Sequence, residues 1–240
     1  MTQQVVLITG GTSGIGLGLA QAFIEQGAAV AVCARTAPAL DRFSRRFPDA
    51  LAIQADVTSA AARASMLQAV AARFGRLDVL VNNAGTFVER DFAAPADAAD
   101  ALEQEIALNL TAPIQLTGEA LVRWPALDAI VFVTSGFALV SPTRAPTYGA
   151  VKAGLHAFAE ALRRQLAGKG THILELMPAM TDTPMNAGAT GKKMSTAEVA
   201  QVTLAALARR RPLALPGPVR MLPLLLRIAP GIVTRMIART

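Results

Sequence analysis

Short runs of Val, Ile, Leu and Ala recur along the chain, separated by longer stretches in which apolar and polar residues mix at helical spacing. Val5-Val6-Leu7-Ile8 and the run from Ala28 to Cys33 are apolar without alternation, the pattern of strands buried on both faces of a parallel sheet. Further strands are expected near Ala50–Gln54, Val79–Asn82, Ala129–Val133, His172–Met177 and Leu213–Leu215. Helices are expected between them. The first ends near Gln26, with Gly27 as its stop signal. The others fall at about Asp41–Phe47, Ser59–Phe74, Ala96–Ala120, Pro146–Ala167 and Thr196–Ala208, the last opened by the capping-box pattern Ser195-Thr196-Ala197-Glu198. This alternation predicts βαβ units and an α/β fold, a doubly wound parallel sheet flanked by helices on both faces. No repeat or low-complexity linker interrupts it, so residues 1–240 are expected to form one domain.

The first strand leads into Thr9-Gly10-Gly11-Thr12-Ser13-Gly14-Ile15-Gly16, then a helix and a second strand. That is the context a dinucleotide site requires. Glycines let the backbone approach a pyrophosphate, and the helix N-terminus offers unpaired N–H groups and a favourable dipole. Gly10, Thr12, Ser13, Gly14, Ile15 and Gly16 are therefore candidate cofactor-binding residues.

Tyr148, the only tyrosine, and Lys152 stand one helical turn apart, with Ser135 upstream. The i, i+4 spacing puts the first two on one helix face. A free phenol titrates near pH ~10, so proton transfer at neutral pH needs a downward shift of roughly 2–3 units, or roughly 3–4 kcal/mol. An ammonium about one turn away supplies an interaction of that size. Lys152 is thus expected to lower the Tyr148 pKa, while Ser135 holds and polarises a carbonyl oxygen.

With these motifs in place, the chain resembles the short-chain dehydrogenase/reductase family, a group with a Rossmann-type fold. Thr9, Gly10, Gly14 and Gly16 match its Thr-Gly-x3-Gly-x-Gly motif, and the similarity runs over roughly residues 5 to 185. The resemblance implies an adenine-side role for Asp56-Val57 and a structural turn at Asn82-Asn83-Ala84-Gly85, with Asn83, Ala84 and Gly85 beside the cofactor. It adds Asn109 to Ser135, Tyr148 and Lys152 as the catalytic set, Asn109 holding a water that links Lys152 to solvent. It also implies that Lys152 hydrogen-bonds the nicotinamide ribose, and that Pro178, Thr181 and Thr183 line the cofactor site after strand six. One departure is Ala179, where the family has glycine; the added methyl is expected to narrow the pocket floor.

The second strand ends Val32-Cys33-Ala34-Arg35-Thr36. An acid there would accept a ribose 2′-hydroxyl, whereas an arginine suits a 2′-phosphate. Ala34 stands where the family's NAD-type Asp would fall and Arg35 follows, with Ser13 as a further donor, so NADP(H) is expected over NAD(H).

Composition narrows the remaining classes. The net charge is +6, but aromatic residues are only 5% and none interleave a basic stretch, so a nucleic-acid partner is not expected. Attraction of an anionic cofactor explains the sign. His156 and His172 lack metal-ligand spacing and are expected to be structural, and no metal site is expected. The single cysteine, Cys33, and a first strand close to Met1 point to a cytoplasmic protein without a secretion signal.

Residues 184–195 resemble the family's substrate loop. Its methionines, with Phe87, Phe137, Leu139 and Met180, suggest an apolar pocket. In the segment from Val219 to Thr240, Arg220, Arg227, Arg235 and Arg239 cluster on one side of a helical wheel, although Pro223 and Pro230 interrupt any single helix. The segment is expected to cover the active-site mouth or a subunit interface rather than to contact a membrane. The helices Ala96–Ala120 and Tyr148–Leu166 are expected, from the resemblance, to form a homodimer or homotetramer.

The expected function is an NADP(H)-dependent oxidoreductase that moves a hydride between nicotinamide and the carbonyl or secondary alcohol of an apolar small molecule, with Tyr148 as acid/base. The alternatives are a non-catalytic NADP-binding regulator or scaffold on the same fold, and an epimerase or dehydratase that recycles its nicotinamide.

Overall fold

The strands form where unbroken apolar runs allow both faces to be covered. The structure, a computed structural model, describes residues 3–94 and 100–238. Its strands are β1 (Val5–Thr9), β2 (Ala29–Ala34), β3 (Leu51–Gln54), β4 (Val79–Asn82), β5 (Ala129–Val133), β6 (His172–Leu176) and β7 (Leu213–Ala214). They make one seven-stranded sheet in the order β3-β2-β1-β4-β5-β6-β7, with every neighbouring pair parallel. Successive residues of β1 serve opposite cores: Val5 and Leu7 face one, Val6 and Ile8 the other.

The first core is closed by α3 (Ala60–Phe74), α5 (Ala112–Arg123) and α6 (Pro146–Gln165), through Met66, Leu116, Leu155 and Leu162. The second is closed by α1 (Gly14–Glu25), α2 (Ala37–Arg46) and α7 (Thr196–Ala208), through Leu19, Phe23, Phe43 and Val199. Ser59 caps α3 by accepting from the Ala62 amide, and Ser195 and Glu198 form the expected capping box on α7.

Two helices depart from the sequence expectation for identifiable reasons. α2 begins at Ala37 rather than Asp41, because Pro38 fits a first helical turn, where its missing N–H is not needed. The helix expected over Ala96–Ala120 is a composite. It comprises α4 (Leu102–Ile106), a π-helical turn over Ala107–Thr111, and α5; residues 96–99 lie outside the described residues. A single π turn inside an α-helix commonly accompanies a functional site, and this one carries Asn109.

Beyond β7 the chain forms two short helices, α8 (Leu222–Ile228) and α9 (Pro230–Ala238). Pro223 and Pro230 each sit in a first turn, so the prolines divide the segment into a hairpin and no single helical wheel applies to its arginines. No described helix is long and apolar enough to cross a membrane.

The strand order reverses between β1 and β4, so their C-terminal ends diverge into a crevice. The β1–α1 turn is packed tightly against the end of β4. Thr9 Oγ1 accepts from the backbone amides of Asn83 (2.9 Å) and Ala84 (3.0 Å), and Asn83 Nδ2 donates to Thr9 O (2.8 Å). Gly16 is buried behind this turn, where an added Cβ would lie 2.4 Å from Gly10 O and 2.5 Å from Asn83 Nδ2. Gly16→Ala is therefore predicted to lower stability by about 1–3 kcal/mol in denaturant unfolding; an unchanged midpoint would show that the turn can yield.

Candidate active site

A cleft of about 530 Å³ runs from the β1–α1 turn, across the ends of β4 and β5, to the C-terminal hairpin. Of the sequence-derived cofactor residues, Gly10, Thr12, Ser13, Gly14, Ile15, Arg35, Asp56, Val57, Asn83, Ala84, Gly85, Pro178, Thr181 and Thr183 all line it, as do Asn109, Ser135, Tyr148 and Lys152. Gly16 does not. It lies behind the lining, in the close packing described above.

The nucleotide half has the features an anionic ligand needs. Gly10 and Gly14 hold φ of +65° and +52°, left-handed values that glycine adopts without strain. Ser13 is the N-cap of α1, yet its side chain makes no capping bond, which leaves a hydroxyl and first-turn N–H groups facing the cleft. At the far end, Arg35 and Thr36 line the wall with no acid at Ala34. Thr36 escaped the sequence reading because a threonine at a strand end carries no signal of its own. Asp56 is tied locally, accepting from the Thr58 amide (2.9 Å) and hydroxyl (2.7 Å), and these bonds hold its carboxyl below the usual carboxylate range. Cys33 is buried, and burial pushes its thiol up to about 11, so it is an inert packing residue. Among the described residues no cluster suits a metal ion.

At the other end, β5 delivers Ser135 and α6 delivers Tyr148 and Lys152. Phe87 and Phe137 enclose the Tyr148 ring, with centroids 4.9 and 6.4 Å away in edge-on geometry. The lysine ammonium lies 5.6 Å from the Tyr148 ring centroid and donates to the Val133 carbonyl at 3.0 Å. Both side chains are buried.

The electrostatics differ from the sequence expectation. The Tyr148 phenol is pushed up to about 12, not lowered. Burial is the main cause, a hydrogen bond with Ser135 acts in the opposite direction, and the Glu105 carboxylate adds to the rise. Burial likewise pulls Lys152 down to about 8. Desolvation is therefore the largest influence on both groups, where the i, i+4 spacing promised mutual attraction. The ammonium is held by a carbonyl at the end of β5.

Asn109 is placed by the π turn with hydrogen bonds at both ends of its amide. Its Nδ2 donates to Thr86 O (3.0 Å) and Glu105 O (3.2 Å), and its Oδ1 accepts from the Thr86 amide (3.2 Å). Both amide protons are occupied. Asn109 anchors the loop after β4 beside Lys152.

Two buried polar groups that gave no sequence signal support this end. Arg90 and Glu105 pair at 3.3 Å with side chains 2% and 1% exposed, and Thr147 Oγ1 donates to Glu105 at 2.7 Å. On the other side of α6, Glu175 accepts from Thr134 Oγ1 at 2.7 Å and meets His156 Nδ1 at 2.8 Å. His156 thus has the structural role expected of it. It clamps α6 to β6 one turn beyond Lys152.

The substrate half is apolar. Phe87, Phe137, Met180 and Met185 line it as expected, joined by Val219, Leu222 and Ile237 of the C-terminal segment. Leu139 does not line it and packs instead with Val140, Leu222 and Val233. Ala179 lines the floor. The loop over 184–195 is tethered at its base, where Met194 N donates to Met180 O and Asp182 N to Met194 O. Arg144, also missed, lines the cleft with its guanidinium 5.0 Å from the Phe87 ring centroid and pairs with Glu89.

The buried ammonium generates a prediction with a defined sign. Because the folded pKa of Lys152 (about 8) lies below its ordinary 10.5, the unfolded chain binds more protons between those values, and this group's contribution to stability rises with pH across that window. Lys152→Met should therefore raise stability near neutral pH by about 1–3 kcal/mol. That advantage should shrink as pH climbs from 8 toward 10.5 in denaturant titrations. A variant less stable than the parent at neutral pH would contradict the burial cost.

The family model for short chain dehydrogenases matches residues 4–193. An uncharacterized oxidoreductase, DltE, of Bacillus subtilis is 38% identical over 189 residues, covering 78% of this chain and 75% of the relative. Cis-4-hydroxycyclohexanecarboxylate dehydrogenase of Sinomonas cyclohexanicum is 33% identical over 193 residues, covering 78% and 76%. Among solved structures, a short-chain dehydrogenase from Sphingobium yanoikuyae in complex with NADPH superimposes with a TM-score of 0.82 at 28% identity, covering 99% of this chain and 97% of that one. With its seven-stranded parallel sheet and a match spanning most of its length, the chain belongs to the short-chain dehydrogenase/reductase family.

Proposed function

We propose that residues 1–240 form one NADP(H)-dependent oxidoreductase unit acting on the carbonyl or secondary alcohol of an apolar small molecule. The observation that carries this reading is the convergence of Ser135, Tyr148 and Lys152 at the apolar end of a glycine-lined cleft. When bound, the dinucleotide supplies the hydride and, in its oxidised form, a positively charged ring. Its phosphates suit the Gly10–Ile15 turn, and its nicotinamide end suits the walls formed by Pro178, Thr181 and Thr183. The relatives support nicotinamide chemistry, since the Sphingobium structure contains NADPH.

The chain's own residues then divide the work. In the reductive direction a hydride adds to the carbonyl carbon while the Tyr148 hydroxyl gives its proton to the oxygen, leaving a phenolate. In the oxidative direction the phenolate takes the alcohol proton. Ser135 donates to the same oxygen and stabilises charge that develops on it. Because Tyr148 sits at about 12 in the free protein, it is fully protonated at neutral pH and ready to donate, and its reprotonation is easy. Lowering of that pKa belongs to the liganded site, where positive charge against the phenol favours the phenolate. Phe87, Phe137, Met180, Met185 and Leu222 exclude water and set an apolar preference.

Arg35 and Thr36 favour a 2′-phosphate, and the absence of an acid at Ala34 removes the group that would repel it. A homodimer or homotetramer through the outer faces of α5 and α6, and a cytoplasmic setting, belong to the same proposal. Val122 on α5 is exposed, as an interface residue would be in an isolated subunit.

Tyr148→Phe is predicted to reduce NADPH-dependent ketone reduction by about 10²–10⁴-fold while NADPH binding, followed by fluorescence titration, stays unchanged; retained turnover would remove Tyr148 from the chemistry. For cofactor choice, Arg35→Ala should weaken NADPH by roughly 10–100-fold and leave NADH affinity unchanged. Parallel titrations would contradict the assignment if both cofactors weakened equally.

A further inference from the structure

The α8–α9 hairpin has two sides. Its inner side roofs the substrate half: Val219, Leu222 and Ile237 line the cleft, and Leu222 and Val219 close over Gly136 next to Ser135. Its outer side is apolar and uncovered. Leu224, Leu225 and Ile228 on α8, and Ile232 and Met236 on α9, are all exposed, with Ile228 and Ile232 at 71%. Within each helix these positions fall at i, i+4 spacing (224 and 228, 232 and 236), so each helix shows one apolar face outward. Exposed apolar surface gathered in one element marks an interaction site, whereas single scattered residues do not.

Charge distinguishes the occupant. Seven of the 23 Lys and Arg residues follow Glu198 and none of the 17 acids does, so the chain through Glu198 is close to neutral, with 16 basic residues (23 − 7) against 17 acidic. The whole basic surplus lies in the C-terminal stretch. Arg227 and Arg235 on the hairpin, and Arg220 just before it, are exposed and pair with no carboxylate among the described residues. A second copy docked by two-fold symmetry would bring a face whose only charges are arginines against itself. An anionic bilayer complements it on both counts, taking apolar side chains into the acyl boundary and arginines at the headgroups.

We propose that the outer face of the α8–α9 hairpin docks on an anionic lipid surface. The hairpin's inner residues wall the cleft, so docking sets the cleft mouth at the bilayer, where apolar carbonyl compounds concentrate. That consequence rests on the oxidoreductase reading; the docking does not. The sequence pattern favoured a cover for the site mouth over lipid contact, and the hairpin's two sides allow both.

The test is sedimentation of the full chain with phosphatidylcholine vesicles, with and without phosphatidylglycerol. The protein is expected to pellet with the anionic vesicles and to be released by salt. Arg227→Gln with Arg235→Gln should lower partitioning on the order of 25-fold, and Ile228→Ser with Ile232→Ser should abolish it. Both double variants should keep the parent's unfolding midpoint and its NADPH oxidation rate with a water-soluble ketone. A protein that stays in the supernatant with both vesicles overturns the proposal, and equal pelleting with neutral vesicles overturns its anionic component. Conversion of an oligomer to a smaller species by the isoleucine changes, in sedimentation velocity, would assign the face to a second copy instead. Sedimentation needs no turnover, so failure of the oxidoreductase reading would leave this test standing.

Discussion

A lysine ammonium held inside the fold by one backbone carbonyl is the constraint on which the site is built. Lys152 Nζ reaches Val133 O at the C-terminal end of β5, behind the only tyrosine in the chain. Burial disfavours charge on both groups at once, raising the phenol and lowering the amine. A protein selected for stability alone would place an apolar side chain there. The fold tolerates the ammonium because parallel strands end in a crevice whose carbonyls and amides are not all satisfied by the sheet.

The surroundings keep this arrangement rigid. The Arg90–Glu105 pair and Thr147 fix the first turn of α6 against the loop after β4, and Glu175, with Thr134 and His156, fixes the next turns against β5 and β6. Breaking a buried pair by removing one partner leaves an uncompensated charge, so these contacts resist drift of Tyr148 relative to Ser135. The glycine turn on the far side is held by Thr9 and Asn83. The cofactor half and the reacting half thus both lean on the segment that follows β4.

Much of this was legible in the residues. Strands buried on both faces, such as β1 and β5, were recognised by unbroken apolar runs, and the capping box opened α7 where the pattern placed it. The cleft residues were legible because glycine spacing and the Tyr–Lys pair are local motifs. Properties set by burial were not legible. The sign of the Tyr148 shift depends on how much of the phenol is desolvated and on Glu105, a residue distant in sequence. The motif groups Gly16 with Gly10 and Gly14, and only the fold shows how tightly it packs against Gly10 O and Asn83. Leu139 and Met180 were equivalent as apolar residues, and only the path of the C-terminal hairpin separates them. Arg144 and Thr36 belong to no motif and became visible through the shape of the cleft.

On the proposed function, the phenol is protonated and buried in the free chain and becomes acidic only in the liganded site. Because Tyr148 is the sole tyrosine, phenolate absorbance reports it alone. Spectrophotometric pH titration with and without saturating NADP⁺ measures it directly. Ionisation is expected toward pH 12 in the free protein, with a clear fall in the midpoint with NADP⁺. The same midpoint in both states, or a phenolate near neutral pH without the dinucleotide, would contradict it.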